Sequence, residues 1–125
     1  MWHDWPMTAD DVQHWLDAYI AAWASYDEGE ITALFTEDAA YRYDAFRKPI
    51  VGSAAIAANW LEHRDAPGSW EAEYRPYVVD GDRAVAVGET RYLQEGKRYK
   101  NLYELEFAAD GRCRSLTEWF LLERS

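Results

Sequence analysis

Residues 70–122 read "WEAEYRPYVVDGDRAVAVGETRYLQEGKRYKNLYELEFAADGRCRSLTEWFLL", a stretch divided at regular intervals by turn residues. Asp80-Gly81, Glu95-Gly96 and Asp110-Gly111 are turn signals whose glycines stand fifteen residues apart. Between them apolar and polar residues alternate with the period of two that marks half-buried strands. The pattern predicts a meander of four antiparallel strands over roughly 70–79, 83–94, 97–108 and 112–123. Strands this long exceed the usual five or so residues, and such a sheet must twist and curl.

Upstream of residue 70 the period changes. In "TADDVQHWLDAYIAAWASYD", Thr8 and Asp11 have the spacing of a capping box, and Val12, Trp15, Leu16, Tyr19, Trp23 and Tyr26 recur at helical intervals. "EITALF" reads as a short second helix, and "DAAYRYDAF" as a strand with Tyr41 and Tyr43 on one side. In "GSAAIAANWLEHR" Ser53 is positioned to cap a third helix whose Ile56 and Trp60 share a face. Helices followed by a curled sheet give an α+β architecture of one domain over 1–125, the sheet enclosing a cavity against the helices.

The chain of 125 residues is 49% hydrophobic and 16% aromatic, with seven Trp and nine Tyr. That composition excludes disorder and suits a pocket for an organic molecule, since these rings combine apolar bulk with a polar handle. The net charge of −10 repels phosphate backbones and anionic lipid, which argues against nucleic acid and membrane partners. "MWHDWPMTADD" lacks the pattern of a secretory leader, and the single Cys113 forms no internal disulfide. Both point to the cytoplasm. His3, His14 and His63 show no paired ligand spacing, so a metal site is not expected.

One residue breaks the strand pattern. In "SLTEWFLL" alternation places Glu118 on the same face as Leu116, Phe120 and Leu122. A carboxylate among large hydrophobes loses hydration unless it is paired, hydrogen-bonded or protonated. Desolvation raises its pKa toward neutrality, where a general acid or base works best, and tyrosines facing it could stabilise a developing enolate. Such a group is equally a structural carboxylate tied to a Tyr or Arg, or one at a wet cavity mouth. "YKNLYELEF" sets Asn101 between Tyr99 and Tyr103 on the inward face, with Lys100, Glu104 and Glu106 opposite. Asn59 and His63 lie one turn apart on the third helix, where His63 reads as a surface residue or a second titrating group.

The element order, together with "LFTEDAAYRY", "PIVG" and "SAAI", resembles the nuclear transport factor 2-like superfamily and within it the SnoaL-like domains, from about Val12 to the C-terminus. The resemblance implies a cone-shaped curved antiparallel sheet wrapped around three N-terminal helices, a cystatin-like α+β barrel that is usually dimeric. Against the ketosteroid isomerase pattern, Tyr19 matches the oxyanion-hole tyrosine. The general-base aspartate falls at Tyr43, with Asp44 one residue off, and the protonated aspartate falls at Tyr103. Steroid isomerisation by that route is not expected. SnoaL-like cyclases place their acid/base on the last strand, where Glu118 stands here. An epoxide hydrolase pattern fits Tyr41 but meets Tyr43 where it needs an asparagine.

These readings converge on a cofactor-independent isomerase, cyclase or dehydratase acting on a carbonyl-containing or polyketide-like molecule. Glu118 is its acid/base and Tyr19 its hydrogen-bond donor. Trp23, Tyr41, Tyr43, Asn59, Trp60, His63, Tyr99, Asn101, Tyr103, Leu116 and Phe120 are expected to line the substrate pocket. A homodimer is implied by the resemblance. The alternatives are a non-catalytic binding module of the same shape and a structural dimer with a filled cone.

Overall fold

A computed structural model describes residues 6–124. His3 lies outside them. Helix α1 (Ala9–Ser25) is capped as its sequence predicts: Thr8 accepts from the Asp11 backbone N–H while the Asp11 carboxylate accepts from the Thr8 N–H at 2.9 Å. Its buried stripe is Val12, Trp15, Leu16, Tyr19 and Ala22. Tyr26 ends the helix in the left-handed conformation, with φ 51°. Helix α2 (Glu28–Ala33) is capped by the Asp27 side chain. Helix α3 (Ser53–Glu62) begins one residue earlier than Ser53 was expected to allow: Gly52, with φ 98°, occupies the cap position and Ser53 is the first helical residue. Gly52 takes this place because its backbone conformation is one that side chains disfavour, and a Cβ there would press on the Glu37 carbonyl at 3.2 Å.

Strands β1 (Phe35–Arg42) and β2 (Ile50–Val51) precede α3 and the four-strand meander follows it: β3 (Trp70–Asp80), β4 (Arg83–Tyr92), β5 (Lys97–Phe107) and β6 (Cys113–Leu122). All six strands form one curved sheet in the order β2-β1-β6-β5-β4-β3. Two features depart from the expected antiparallel barrel. The sheet is open, with β2 and β3 at its edges, and β1 runs parallel to β6. The parallel pairing arises because the chain leaves β1 through β2 and α3 and returns to β1 only by the last strand. The meander register is regular through β4 and β5, and a bulge between Pro76 and Val78 bends β3.

The helices cover one end of the concave face. Phe35, Phe107, Leu16, Ile31, Ile56, Leu116, Val12 and Cys113 are fully buried between the layers. Trp15 bridges them, its indole N–H donating to the Leu34 carbonyl at 3.0 Å. Edge-on ring contacts run from Trp15 to Phe35 and Phe107. This core fills the closed end of the sheet and leaves the other end open.

Candidate functional site

Alternation on the meander sends Tyr99, Asn101 and Tyr103 of β5 to the concave face, and the register sets them opposite Leu122, Phe120 and Glu118 of β6. On the other side the same residues face Thr90, Gly88 and Ala86 of β4. Tyr103 meets Tyr19 of α1 at 6.0 Å between ring centroids, and beside it a cavity of about 520 Å³ opens between the meander side chains and the rings of α1, β1 and α3. Eight of the nine tyrosines line it, with Trp23, Trp60 and Phe120. Its polar groups include Glu118, Asn59, His63, Asp65 and Glu95, and no Lys or Arg lines it.

Glu118 is half-buried. Desolvation pushes its pKa up to about 7, opposed by hydrogen bonds from Asn101 and Tyr103. The Asn101 amide nitrogen donates to Glu118 Oε2 at 3.0 Å. Tyr19 and Tyr41 meet hydroxyl to hydroxyl at 3.3 Å. Burial pushes both phenols up, and the Glu118 charge adds to the rise in each. Both are thus neutral donors at physiological pH. One of their two protons serves the mutual bond and the other is available to a ligand oxygen. Tyr19 is held by edge-on contacts with Trp60 at 5.1 Å and Tyr74 at 6.5 Å between centroids.

The structure brings together Glu118, Tyr19, Trp23, Tyr41, Tyr43, Asn59, Trp60, His63, Tyr99, Asn101, Tyr103 and Phe120 around this cavity. Leu116 is corrected: it is 1% exposed, packs in the core beneath the cavity and does not line it. Its alternation with Glu118 is as expected, but the cone narrows there and the helices close over it. Tyr43 lies beyond the end of β1 and is 40% exposed at the rim. His63 is exposed at the end of α3, with Nδ1 at 3.0 Å from the Asn59 carbonyl. Trp23 stacks on Trp70 at 3.5 Å and donates to Asp65, tying α1 to the start of β3.

Six further lining residues escaped the reading of the sequence: Tyr26, Asp65, Tyr74, Thr90, Tyr92 and Glu95. Tyr74, Thr90 and Tyr92 carried a usable signal, since each lies in phase with the inward residues of its strand. Asp65 and Glu95 lie in connections, where no period indicates direction. Cys113 is buried and its thiol is pushed up to about 12, so it is no nucleophile. Among the described residues no cluster of three or more His, Cys, Asp or Glu could hold a metal ion. No helix among them is long and apolar enough to cross a membrane.

Comparison with known proteins places this architecture. An NTF-2 like protein of unknown function from Burkholderia xenovorans superposes with a TM-score of 0.72 at 20% identity, over 93% of this chain and 87% of its own. A provisionally assigned ketosteroid isomerase from Kribbella flavida gives 0.72 at 20% identity, over 94% and 82%. A provisionally assigned polyketide cyclase from Sinorhizobium meliloti gives 0.70 at 23% identity, over 90% and 100%. At these identities the likeness is one of fold. No curated protein matches the chain. The SnoaL-like domain model matches residues 16–115, a span that includes Tyr19, Tyr41, Asn101 and Tyr103 and stops short of Glu118. With most of its 125 residues in that match and the curved α+β sheet to go with it, the chain belongs to the SnoaL-like domain family.

Proposed function

We propose that the protein is a cofactor-independent acid/base enzyme acting on a small, largely apolar molecule that carries a carbonyl group. The observation that carries this reading is Glu118, a carboxylate in an aromatic cavity with no Lys or Arg among the described lining residues and a pKa pushed up to about 7. A base of that strength, half-buried against aromatic rings, is suited to taking a proton from carbon beside a carbonyl. In this step the C–H bond breaks, the proton passes to a Glu118 oxygen and the electron pair moves into an enolate. The O–H that the Tyr19–Tyr41 pair has to spare donates to the enolate oxygen. Returning the proton to a different carbon completes an isomerisation. Expelling a hydroxide equivalent completes a dehydration, and attack of the enolate on a second carbonyl completes a cyclisation.

The acidic lining also restricts the ligand. Asp65, Glu95 and Glu118 face the cavity without a Lys or Arg among the lining residues, so anionic molecules are disfavoured. The names of the polyketide cyclase and ketosteroid isomerase neighbours are consistent with this substrate class. A cytoplasmic homodimer belongs to the same reading. Val87, Leu102 and Trp119 form a register row on the outer face of the sheet, and Leu102, Trp119 and Leu121 are exposed there.

Turnover of a panel of neutral carbonyl compounds tests the chemistry. Glu118→Gln is expected to lower kcat by about 10²- to 10⁴-fold, and Tyr19→Phe combined with Tyr41→Phe by about 10²-fold or more. Full turnover in Glu118→Gln sinks the acid/base role. Saturable binding of the panel with no turnover by the wild type favours a binding module instead.

A further inference from the structure

We propose that Asn101 is a positioning residue for Glu118, and that Thr90 and Tyr74 behind it fix which end of its amide faces the carboxylate. The three side chains are 6%, 3% and 5% exposed, so their hydrogen bonds are made among themselves rather than with bulk water. The Thr90 hydroxyl donates to Asn101 Oδ1 at 2.8 Å, and Asn101 Nδ2 donates to Glu118 Oε2 at 3.0 Å. A threonine hydroxyl carries one proton. With that proton committed to Asn101, the 2.5 Å bond between Tyr74 and Thr90 requires the phenol to donate. The direction of every bond in the chain is then settled: Tyr74 to Thr90, Thr90 to Asn101, Asn101 to Glu118.

The arrangement matters because an amide is ambivalent. Turned over, Asn101 would present a carbonyl oxygen to Glu118, an arrangement that only a protonated carboxyl can satisfy. With Tyr74 donating to it, the Thr90 hydroxyl gives its one proton to the amide oxygen, which leaves Nδ2 facing Glu118 and favours the ionised carboxylate that a general base requires.

The strand register makes this geometry possible. Tyr74, Gly88, Asn101 and Phe120 form one row across β3, β4, β5 and β6, with Thr90 in the row on one side of Asn101 and Glu118 in the row on the other. Asn101 reaches both diagonally. Gly88 offers no side chain between Tyr74 and Asn101: a Cβ there would lie 2.5 Å from the Tyr74 ring.

The titratable groups whose electrostatics couple to Glu118 are phenols on five of the surrounding elements: Tyr19 on α1, Tyr41 on β1, Tyr74 on β3, Tyr92 on β4 and Tyr103 on β5. His63, Asp65 and Glu95 line the same cavity. No Lys or Arg shares it, so neutral donors are what stabilise the charged carboxylate, and Asn101 is the foremost of them.

The catalytic consequence rests on the acid/base reading of Glu118, whereas the positioning itself is measured without a substrate. The experiment is a carboxyl-carbon NMR titration of Glu118, assigned with Glu118→Gln, in the wild type and in Asn101→Leu, Thr90→Val and Thr90→Ser. Removing the donor, or the hydroxyl that orients it, destabilises the ionised form. Asn101→Leu and Thr90→Val are each expected to move the Glu118 midpoint upward by about one pH unit, a tenfold change in the ratio of ionised to protonated carboxyl. Thr90→Ser is expected to keep the wild-type midpoint. Thr90→Val is close in shape to the native residue and keeps the proposal testable where Asn101→Leu does not fold. An unmoved midpoint in Thr90→Val overturns the orienting role. A shift in Thr90→Ser as large as in Thr90→Val overturns it too, since packing and not the hydroxyl would then be responsible. Loss of the acid/base function reading, through full turnover in Glu118→Gln, leaves these midpoints as they are, so the two ideas fail separately.

Discussion

Glu118 links function and stability at a single position, and the sign of that link can be worked out. Its folded pKa, pushed up to about 7, lies above that of a carboxylate in an unfolded chain, near 4.5. Between those values the folded state holds a proton that the unfolded state has released, so stability falls as pH rises through the window. The fall is complete above pH 7, where the ionised carboxylate remains in its apolar setting. Glu118→Gln removes the titration and is expected to be more stable than the wild type at pH 8, by about 2 kcal/mol after allowance for partial exposure. The advantage should shrink to near zero at pH 4. Thermal melts of both proteins across pH 4–8 check this, and parallel curves would refute it. The residue was legible as an anomaly, one charged side chain in a run of inward hydrophobes. Its partners were only partly legible: Asn101 shares the inward phase of β5, but no local pattern says that Asn101 reaches Thr90 on one side and Glu118 on the other. That depends on register between strands, which turns and packing set together.

Among the elements, β4 shows how a backbone choice shapes the site. At Gly88 the neighbouring strand passes so close that a Cβ would lie 1.9 Å from the Glu73 carbonyl oxygen and 2.8 Å from the Tyr74 Cα. No side chain fits without moving β3, and β3 carries Tyr74. Gly88→Ala is therefore expected to cost about 3 kcal/mol and to lower the melting temperature by on the order of 10 °C. It should also shift the Glu118 midpoint, by displacing Tyr74 from Thr90. A melt within a degree or two of the wild type would show that β3 yields easily. Other elements were plain from their periods. The capping box of α1 and the three turn glycines mark their boundaries directly, because caps and turns are local chemistry. Serine is a common capping residue, so the sequence points to Ser53 as the cap of α3, whereas the positive φ of Gly52 is visible only once β1 and the helix are in place.

At the scale of the whole molecule, the outer face of the sheet sorts into two regions. One is a charged lattice in which Glu89 contacts Arg91, Arg98 and Lys100, and these hydrogen bonds, that of Arg98 foremost, lower its pKa to about 2. The other is the apolar row that reaches Trp119, which is 48% exposed. If a second copy covers that row, Trp119→Asp should convert a dimer to a monomer, read by sedimentation equilibrium, with Glu118 titrating as before. A wild type that sediments as a monomer at micromolar concentration removes the dimer from the reading. Sequence alone yields the three helices, the first strand, the four-strand meander, the inward faces of β5 and β6 and the misplaced carboxylate. Each of these follows from period, cap or turn chemistry within a few residues. Tertiary packing was needed to show that Ile50–Val51 pairs with β1, that β1 runs parallel to β6, that Leu116 belongs to the core, and that the cavity stays open above it. These outcomes depend on how far the sheet curls and where the helices stop covering it, and both are settled by packing between residues distant in the chain.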